Sequence, residues 1–244
     1  MEQQNPHDLQ KLQVQLASLT SEEGLAWVSD HFQGSVAFST SFGLEDQVIT
    51  HLICEAKLPI RIFTLDTGRL FSETYGTWRR TLEKYGLTIQ ACYPDQHNLE
   101  DFITAHGPDA FYECVDKRKQ CCHLRKVEPL HRALQGVQVW VTGIRADQSP
   151  ERQHTPILEW DEHYQLFKYH PLLNWTYDQL TNYVSQHDIP VNPLHAKGFV
   201  SIGCAPCTRA IRPGDDFRAG RWWWEDDSKK ECGLHWHEAE AEKN

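Results

Sequence analysis

The sequence predicts an α/β protein whose mostly parallel, twisted sheet is flanked by helices. Short apolar stretches at 35–39, 60–65, 88–92 and 137–142 alternate with helical segments of about 10 to 15 residues, the pattern of a parallel sheet. Loops rich in small and polar residues follow the first two strands, and ligands on such sheets gather beyond the carboxyl ends of the strands. The 244 residues are enough for a sizeable core. The balance of 24 basic against 34 acidic residues, formally −10, argues against a general nucleic-acid surface. No stretch approaches the roughly 18 apolar residues of a membrane span, and the polar start lacks the apolar core of a secretory signal. A cytoplasmic protein without membrane or nucleic-acid partners is expected. In that compartment eight cysteines point to metal or catalytic use rather than a disulfide framework.

Residues 6–33 read as a helical lead-in, with Leu9, Leu12, Leu16 and Leu19 on one face and a fresh helix start at Thr20-Ser21-Glu22-Glu23. The strand 35–39 runs into Ser39-Thr40-Ser41-Phe42-Gly43-Leu44-Glu45-Asp46 and then a helix. Unpaired N–H groups and the positive end of the helix dipole make that junction an anion site in waiting. The loop is neither a Walker loop nor a G-x-G-x-x-G fingerprint. It resembles the S-G-G-x-D-S loop of PP-loop pyrophosphatases, but Phe42 replaces the first glycine, one extra residue precedes Asp46, and Gln47 stands where serine would follow. An ordinary strand-to-helix turn is the alternative. The strand 60–65 ends in Asp66-Thr67-Gly68-Arg69, giving a second loop that is expected to face the same nucleotide-sized crevice, before a helix over 71–85.

A helix is expected from Asp116 towards Leu134, carrying Cys121-Cys122 and, four residues on from each, Arg125 and Lys126. Vicinal Cα atoms lie about 3.8 Å apart, inside the lower limit for a relaxed disulfide, so these cysteines are poor partners for each other. With the C-x-x-C pair Cys204 and Cys207 they make four sulfurs in a basic neighbourhood. An iron-sulfur cluster suits this set best; a zinc site, which usually takes two spaced pairs, and plain structural thiols stay open. Cys54, Cys92 and Cys114 are expected as small buried hydrophobes.

The strand 137–142 leads to Gly143, Arg145 and Arg152, whose guanidinium forks suit phosphate or sulfate, with ion pairing to Asp147 and Glu151 as the bland alternative. A hairpin over 156–160 and 165–170, an amphipathic helix from Trp175 towards His187 and a connector over 189–202 complete the body. Beyond Arg209 the composition turns to charge and tryptophan. Arg218 and Arg221, three apart, can project together, and Trp222, Trp223 and Trp224 suit a lid. Cys232, beside Lys229, Lys230 and His235, has the positive surroundings that favour a reactive thiolate.

Taken together, Ser39 to Asp46, Leu65 to Leu70, Cys121-Cys122 with Arg125 to Pro129, Gly203 to Arg209, Gly220 to Glu225, and Lys230-Glu231-Cys232-Gly233-Leu234-His235 resemble the iron-sulfur type of bacterial assimilatory adenylyl-sulfate reductases, in the phosphoadenylyl-sulfate reductase family. The resemblance covers the chain past about residue 24. It implies an adenine nucleotide alpha hydrolase-like, PP-loop-like fold with a mobile C-terminal tail. The segments would be a lead-in over 1–33, a nucleotide- and cluster-binding domain over 34–208, and a lid and tail over 209–244. It further implies one 4Fe-4S cluster held by Cys121, Cys122, Cys204 and Cys207. Cys232 would attack the sulfur of adenosine 5′-phosphosulfate, releasing AMP, and thioredoxin would reduce the resulting S-sulfocysteine to free sulfite, with His235 near the nucleophile. Lys126, Arg152, Arg218 and Arg221 would surround sulfate and phosphate. Further nucleotide contacts are expected from Ser39, Ser41, Gly43, Asp46, Asp66, Thr67, Gly68 and Arg145. Reduction of the 3′-phosphorylated nucleotide, a PP-loop tRNA-thiolating enzyme and a non-enzymatic cluster or zinc sensor are the rival readings. The oligomeric state is left open, a homo-oligomer included.

Overall fold

The computed structural model describes residues 6–149, 152–212 and 214–225. In chain order the elements are α1 (Pro6–Ala17), α2 (Ser21–His31), β1 (Val36–Ser39), α3 (Leu44–Glu55), β2 (Arg61–Leu65), α4 (Ser72–Tyr85), β3 (Gln90–Cys92) and α5 (Gln96–His106). There follow α6 (Val115–Cys122), α7 (Glu128–Ala133), β4 (Val139–Val141), β5 (Leu158–Asp161), β6 (Leu166–Tyr169) and α8 (Tyr177–Gln186). The chain forms two units from interleaved stretches. One takes the chain up to Thr64, Ser72–Gln90 and Gly136–Ala196; the other takes Leu65–Phe71, Ala91–Gln135 and the described residues from Lys197 onward. No helix among the described residues is long and apolar enough to cross a membrane.

The first unit is built on the sheet, whose strand order is β3-β2-β1-β4-β6-β5. β1 is parallel to β2 and β4, β4 is parallel to β6, and β5 runs antiparallel to β6 as its hairpin partner. The mostly parallel sheet is therefore present as expected. Parallel strands covered on both faces read as continuous apolar runs, and Val36-Ala37-Phe38 and Val139-Trp140-Val141 are buried throughout. Leu25 and Val28 of α2, Val48 and Ile49 of α3, and Leu172 and Leu180 pack into the same core, each fully buried side chain contributing about 1.5–3 kcal/mol. Thr20 starts α2 with a capping box, its Oγ1 accepting from Glu23 N at 3.2 Å while Glu23 Oε2 accepts from Thr20 N at 2.9 Å. Successive strands β1, β2 and β3 proceed to one side, whereas β4 lies on the other side of β1. The order reverses between β1 and β4, where open α/β sheets place their ligands.

The second unit is mostly short helices. The helix expected over 116–134 is interrupted: after α6 the backbone widens into a π-turn over His123–Val127 before α7 resumes. Glu128 N donates to His123 O, five residues back, and Pro129, which follows, has no N–H to continue the ordinary ladder. Phe102, Phe111, Trp222 and the four cysteines Cys121, Cys122, Cys204 and Cys207 form this unit's apolar cluster. Helix α5 has no counterpart in the strand-helix reading above. Cys114, expected to be buried, is instead exposed at the N-cap of α6, and Cys54 and Cys92 are half-buried.

Candidate active site

At the strand-order reversal the loop after β1 is closed by its own helix. Asp46 Oδ2, in the first turn of α3, accepts from Ser41 N at 2.6 Å and Ser41 Oγ at 2.7 Å. Phe42, standing where the related loop has glycine, adopts φ 61°, a left-handed conformation costing about 1–2 kcal/mol for a residue with a Cβ. Burial of its ring against Trp78, centroids 5.4 Å apart, offsets that strain. Gly43 is the N-cap of α3 without a side-chain cap, so the first-turn amides depend on the loop or on an anion. Ser39 accepts from Trp140 Nε1 at 2.8 Å. Gly143, after β4, packs so closely that a Cβ would sit 2.5 Å from Asp46 Oδ1, and the absent side chain lets the two loops meet.

Arg145 braces the same pair of loops. It is 1% exposed, with Nε 2.9 Å from Glu45 Oε1, a nitrogen 3.1 Å from Asp147 Oδ2 and a bond to the Trp175 carbonyl. The Asp147 half of the ion-pairing alternative is thus present, and the fork expected at phosphate is engaged by protein acceptors. Arg152 is half-buried and donates to Gln148, and its charge helps hold His170 below the usual imidazole range, where burial is the main cause.

Burial lifts Asp46 to about 6, against the hydrogen bonds from Ser41 and with help from Glu45. Between pH 4 and 6 the native carboxyl keeps a proton that the unfolded chain has released. Its contribution to stability is therefore complete below about pH 4 and is lost as pH rises through about 6, a change of about 3 kcal/mol. Asp46→Asn is expected to lack this downward slope. Melting curves of both proteins from pH 4 to 7 test it, and parallel slopes would contradict the burial argument.

The second unit holds the sulfur site. Cys121, Cys122, Cys204 and Cys207 are free thiols, each 8–9% exposed, and they line one cavity with Arg69, Arg118, Arg125, Lys126 and Phe111. Local backbone bonds fix the C-x-x-C turn: Cys207 N donates to Cys204 O at 3.0 Å, Ala205 N to Arg69 O at 2.8 Å, and Thr208 Oγ1 to Cys204 O at 2.9 Å. Thr67 Oγ1 lies 3.3 Å from Cys204 Sγ, and the Thr67 carbonyl accepts from Arg125. Asp66 Oδ1 accepts from Gly68 N at 2.9 Å, shaping the turn that presents Thr67. Thr67, expected at the nucleotide, lies against a thiol.

Electrostatics divide the four sulfurs. Burial alone would raise Cys204, but Lys126, the Thr67 hydroxyl, Arg221 and Arg125 together bring it below the usual thiol value. Cys207 is pushed up to about 12 by burial and by the neighbouring Cys204, and burial also raises Cys121 despite Arg125. Of these three thiols, Cys204 is the one whose charged form the surrounding cations favour. Among the described residues no group of three or more Cys, His, Asp or Glu side chains is arranged to hold a metal ion as it stands. A single tetrahedral zinc draws its sulfurs to about 2.3 Å. Four thiols lining one cavity make a soft, sulfur-rich donor set of the kind that holds zinc or an iron-sulfur cluster. Arg125 Nε and Arg221 Nε, buried without hydrogen-bond partners, also suit an anionic occupant.

Arg221 reaches this region because Gly203 lacks a side chain, since a Cβ there would collide with the guanidinium. Trp222, fully buried, lies beneath three guanidiniums: Arg118 at 4.6 Å, Arg221 at 4.8 Å and Arg218 at 5.8 Å from a ring centroid. The sequence reading gave Arg118 and Glu225 no role, yet they form the most buried ion pair of this unit. Residues 107 apart offer no local spacing from which to find such a pair. Cys232 and His235 lie outside the described residues.

Comparison with known proteins agrees with this architecture. The model of the phosphoadenosine phosphosulfate reductase domain matches residues 35–210. The adenosine 5′-phosphosulfate reductase of Agrobacterium fabrum is 46% identical over 228 residues, covering 93% of this chain and 87% of that protein. That of Burkholderia cepacia is 52% identical over 200 residues, covering 82% and 80%. Among solved structures, the phosphoadenylyl-sulfate reductase of Candida auris in a phosphate complex aligns with a TM-score of 0.74 at 29% identity, over 86% of this chain and 98% of that one. The FMN adenylyltransferase of Candida glabrata, at 17% identity and a TM-score of 0.54 over 95% of this chain and 76% of that one, shares the fold alone. With a family match across both the strand-order reversal and the C-x-x-C turn, and relatives aligned over most of their length, the chain belongs to the phosphoadenosine phosphosulfate reductase family.

Proposed function

We propose that this chain reduces adenosine 5′-phosphosulfate to sulfite and AMP in sulfate assimilation in the cytoplasm, with Cys232 as nucleophile and thioredoxin as reductant. The observation that carries this reading is the gathering of four buried free thiols with Arg125, Lys126 and Arg221, a quartet that excludes Cys232. The names of the 46–52% identical relatives support the unphosphorylated nucleotide as substrate.

The steps balance in atoms and electrons. The Cys232 thiolate gives an electron pair to the sulfate sulfur, and the bond from that sulfur to the phosphate oxygen breaks with its pair on AMP. Attack of anion on anion needs cations around the sulfate oxygens, a role suited to Lys126, Arg152, Arg218 and Arg221. The guanidiniums around Trp222 supply such a cationic surface. A thioredoxin thiolate then attacks Cys232 Sγ, sulfite departs with the electron pair, and the second thioredoxin thiol resolves the mixed disulfide, so two electrons come from the dithiol. His235 would hold or deliver a proton near Cys232. Ser39, Ser41, Gly43, Asp46, Asp66, Thr67, Gly68 and Arg145 would contact the nucleotide. Cys121, Cys122, Cys204 and Cys207 would hold one 4Fe-4S cluster, which supplies fixed local charge when bound.

The test is mass spectrometry of the protein mixed with adenosine 5′-phosphosulfate without reductant. A sulfonate on the peptide containing Cys232 is expected, and an unmodified peptide would overturn the reading. One observation favours a second substrate, the 3′-phosphorylated nucleotide: the solved relative from Candida auris is named for it. Sulfite release from the two nucleotides at equal concentration, with thioredoxin supplied, separates the readings.

A further inference from the structure

We infer that Arg118 is a positioning residue that ties the cysteine-bearing helix to the root of the segment carrying Cys232, through Glu225. The inference rests on the reading of Cys232 as nucleophile. Arg118 lies in α6 one helical turn before Cys121 and Cys122, so its backbone and those of the two cysteines move as one rigid piece. Its side chain is fully buried and forks onto Glu225, Nε to Oε1 at 3.0 Å and a terminal nitrogen to Oε2 at 2.8 Å, with the Glu225 side chain 4% exposed. Its guanidinium also lies over the Trp222 ring.

Such a pair is poorly explained as a source of stability, because apolar residues of the same volume commonly serve as well in a buried position. What a bidentate, fully enclosed pair does supply is a fixed register between two pieces of chain. Glu225 is an apt point to fix. A backbone bond from Glu225 N to Trp222 O, 2.8 Å, closes the turn that presents it, and Trp222 N is itself bonded to Cys207 O at 3.2 Å. The root of the tail is thereby referred to both thiol pairs at once, to Cys207 through the backbone and to Cys121 and Cys122 through Arg118. Six residues lie between Glu225 and Cys232, so over these seven Cα steps the chain can carry Cys232 at most about 25 Å from the anchor. Loss of the anchor both lengthens the arm and frees its direction, which lowers the effective concentration of Cys232 at its target.

Two substitutions test the strut separately. Arg118→Lys keeps the charge and loses the fork; Glu225→Gln keeps the shape and loses the charge. Under single turnover without reductant, each is expected to slow sulfonate formation on Cys232 at least tenfold, with the affinity for AMP within twofold of wild type; iron is expected to be retained in Glu225→Gln, whereas Arg118 itself lines the thiol cavity, so iron is measured beside the rate in Arg118→Lys. The double variant should be no slower than the worse single one, since the pair acts as a unit. Unaltered sulfonation rates in both, or losses that multiply in the double variant, would overturn the inference. If either substitution sheds iron or lowers the melting temperature, Glu225→Asp decides: it retains the charge and withdraws the anchor by one methylene. Slow sulfonation with iron retained supports the strut, and wild-type sulfonation or parallel loss of iron rejects it. Failure of the functional reading looks different, because wild-type protein would then form no adduct at all.

Discussion

Cys232→Ser is expected to abolish sulfite release, by at least about a thousandfold, while the protein keeps its iron and its affinity for AMP. A hydroxyl in place of the thiol is a far weaker nucleophile near neutral pH, and the sulfite intermediate has no sulfur to rest on. Cys121, Cys122, Cys204 and Cys207 are buried together around one cavity, and Cys54 is pushed up to about 11 by burial and by Glu55, so none of these five is suited to replace it. The measurement is sulfite production under thioredoxin turnover beside an iron assay. Full turnover in the variant would remove Cys232 from the mechanism, whereas simultaneous loss of iron would mean that the quartet has been misassigned.

Cys204→Ser is expected to act on the opposite half of the chemistry. Its thiol is the one whose ionised form the surroundings favour, through Lys126, the Thr67 hydroxyl, Arg221 and Arg125 working against burial. A serine hydroxyl at that point cannot supply a thiolate. Changes merely adjacent to metal ligands commonly weaken metal retention by about 10- to 100-fold, and loss of a ligand should exceed this. Iron in anaerobically purified variant should therefore fall to background, with the visible absorption of the cluster. Cys114→Ser is the control and should leave both unchanged, because that thiol is exposed and away from the cavity lining. Retention of the full spectrum by Cys204→Ser would reject it as a ligand.

The sheet was legible because its strands are short apolar runs separated by loops of distinctive composition; β1, β2, β4 and β6 fall within the expected stretches, and β5 overruns its stretch by one residue, Asp161. Helix α5 was missed although Asp95 caps it and Leu99, Phe102 and Ile103 fall at helical spacing, a pattern only one turn long in an eleven-residue helix that buries Phe102 alone. The break in the cysteine helix depends on Pro129 withholding one backbone donor, an effect felt several residues upstream of the proline itself. In the candidate site the four clustered cysteines were readable from spacing and residue type. The engagement of Arg145 with Glu45, 100 residues away, and of Arg118 with Glu225, 107 residues away, arises only when distant segments are folded together. Phe42 lies between these cases: its departure from glycine was visible, but the compensating ring of Trp78 was not.

The interleaving of the two units also bears on how the protein is made. Cys121 and Cys122 leave the ribosome about eighty residues ahead of Cys204 and Cys207, and at about 5–20 residues per second the first pair waits roughly 4–16 s for the second. During that interval two adjacent thiols are exposed to oxidants in a nascent chain whose second unit still lacks its final stretch. On the proposed cluster reading, iron would have to arrive late in translation or after it, and a stalled or truncated product ending before Lys197 would leave that first pair of thiols without its partners.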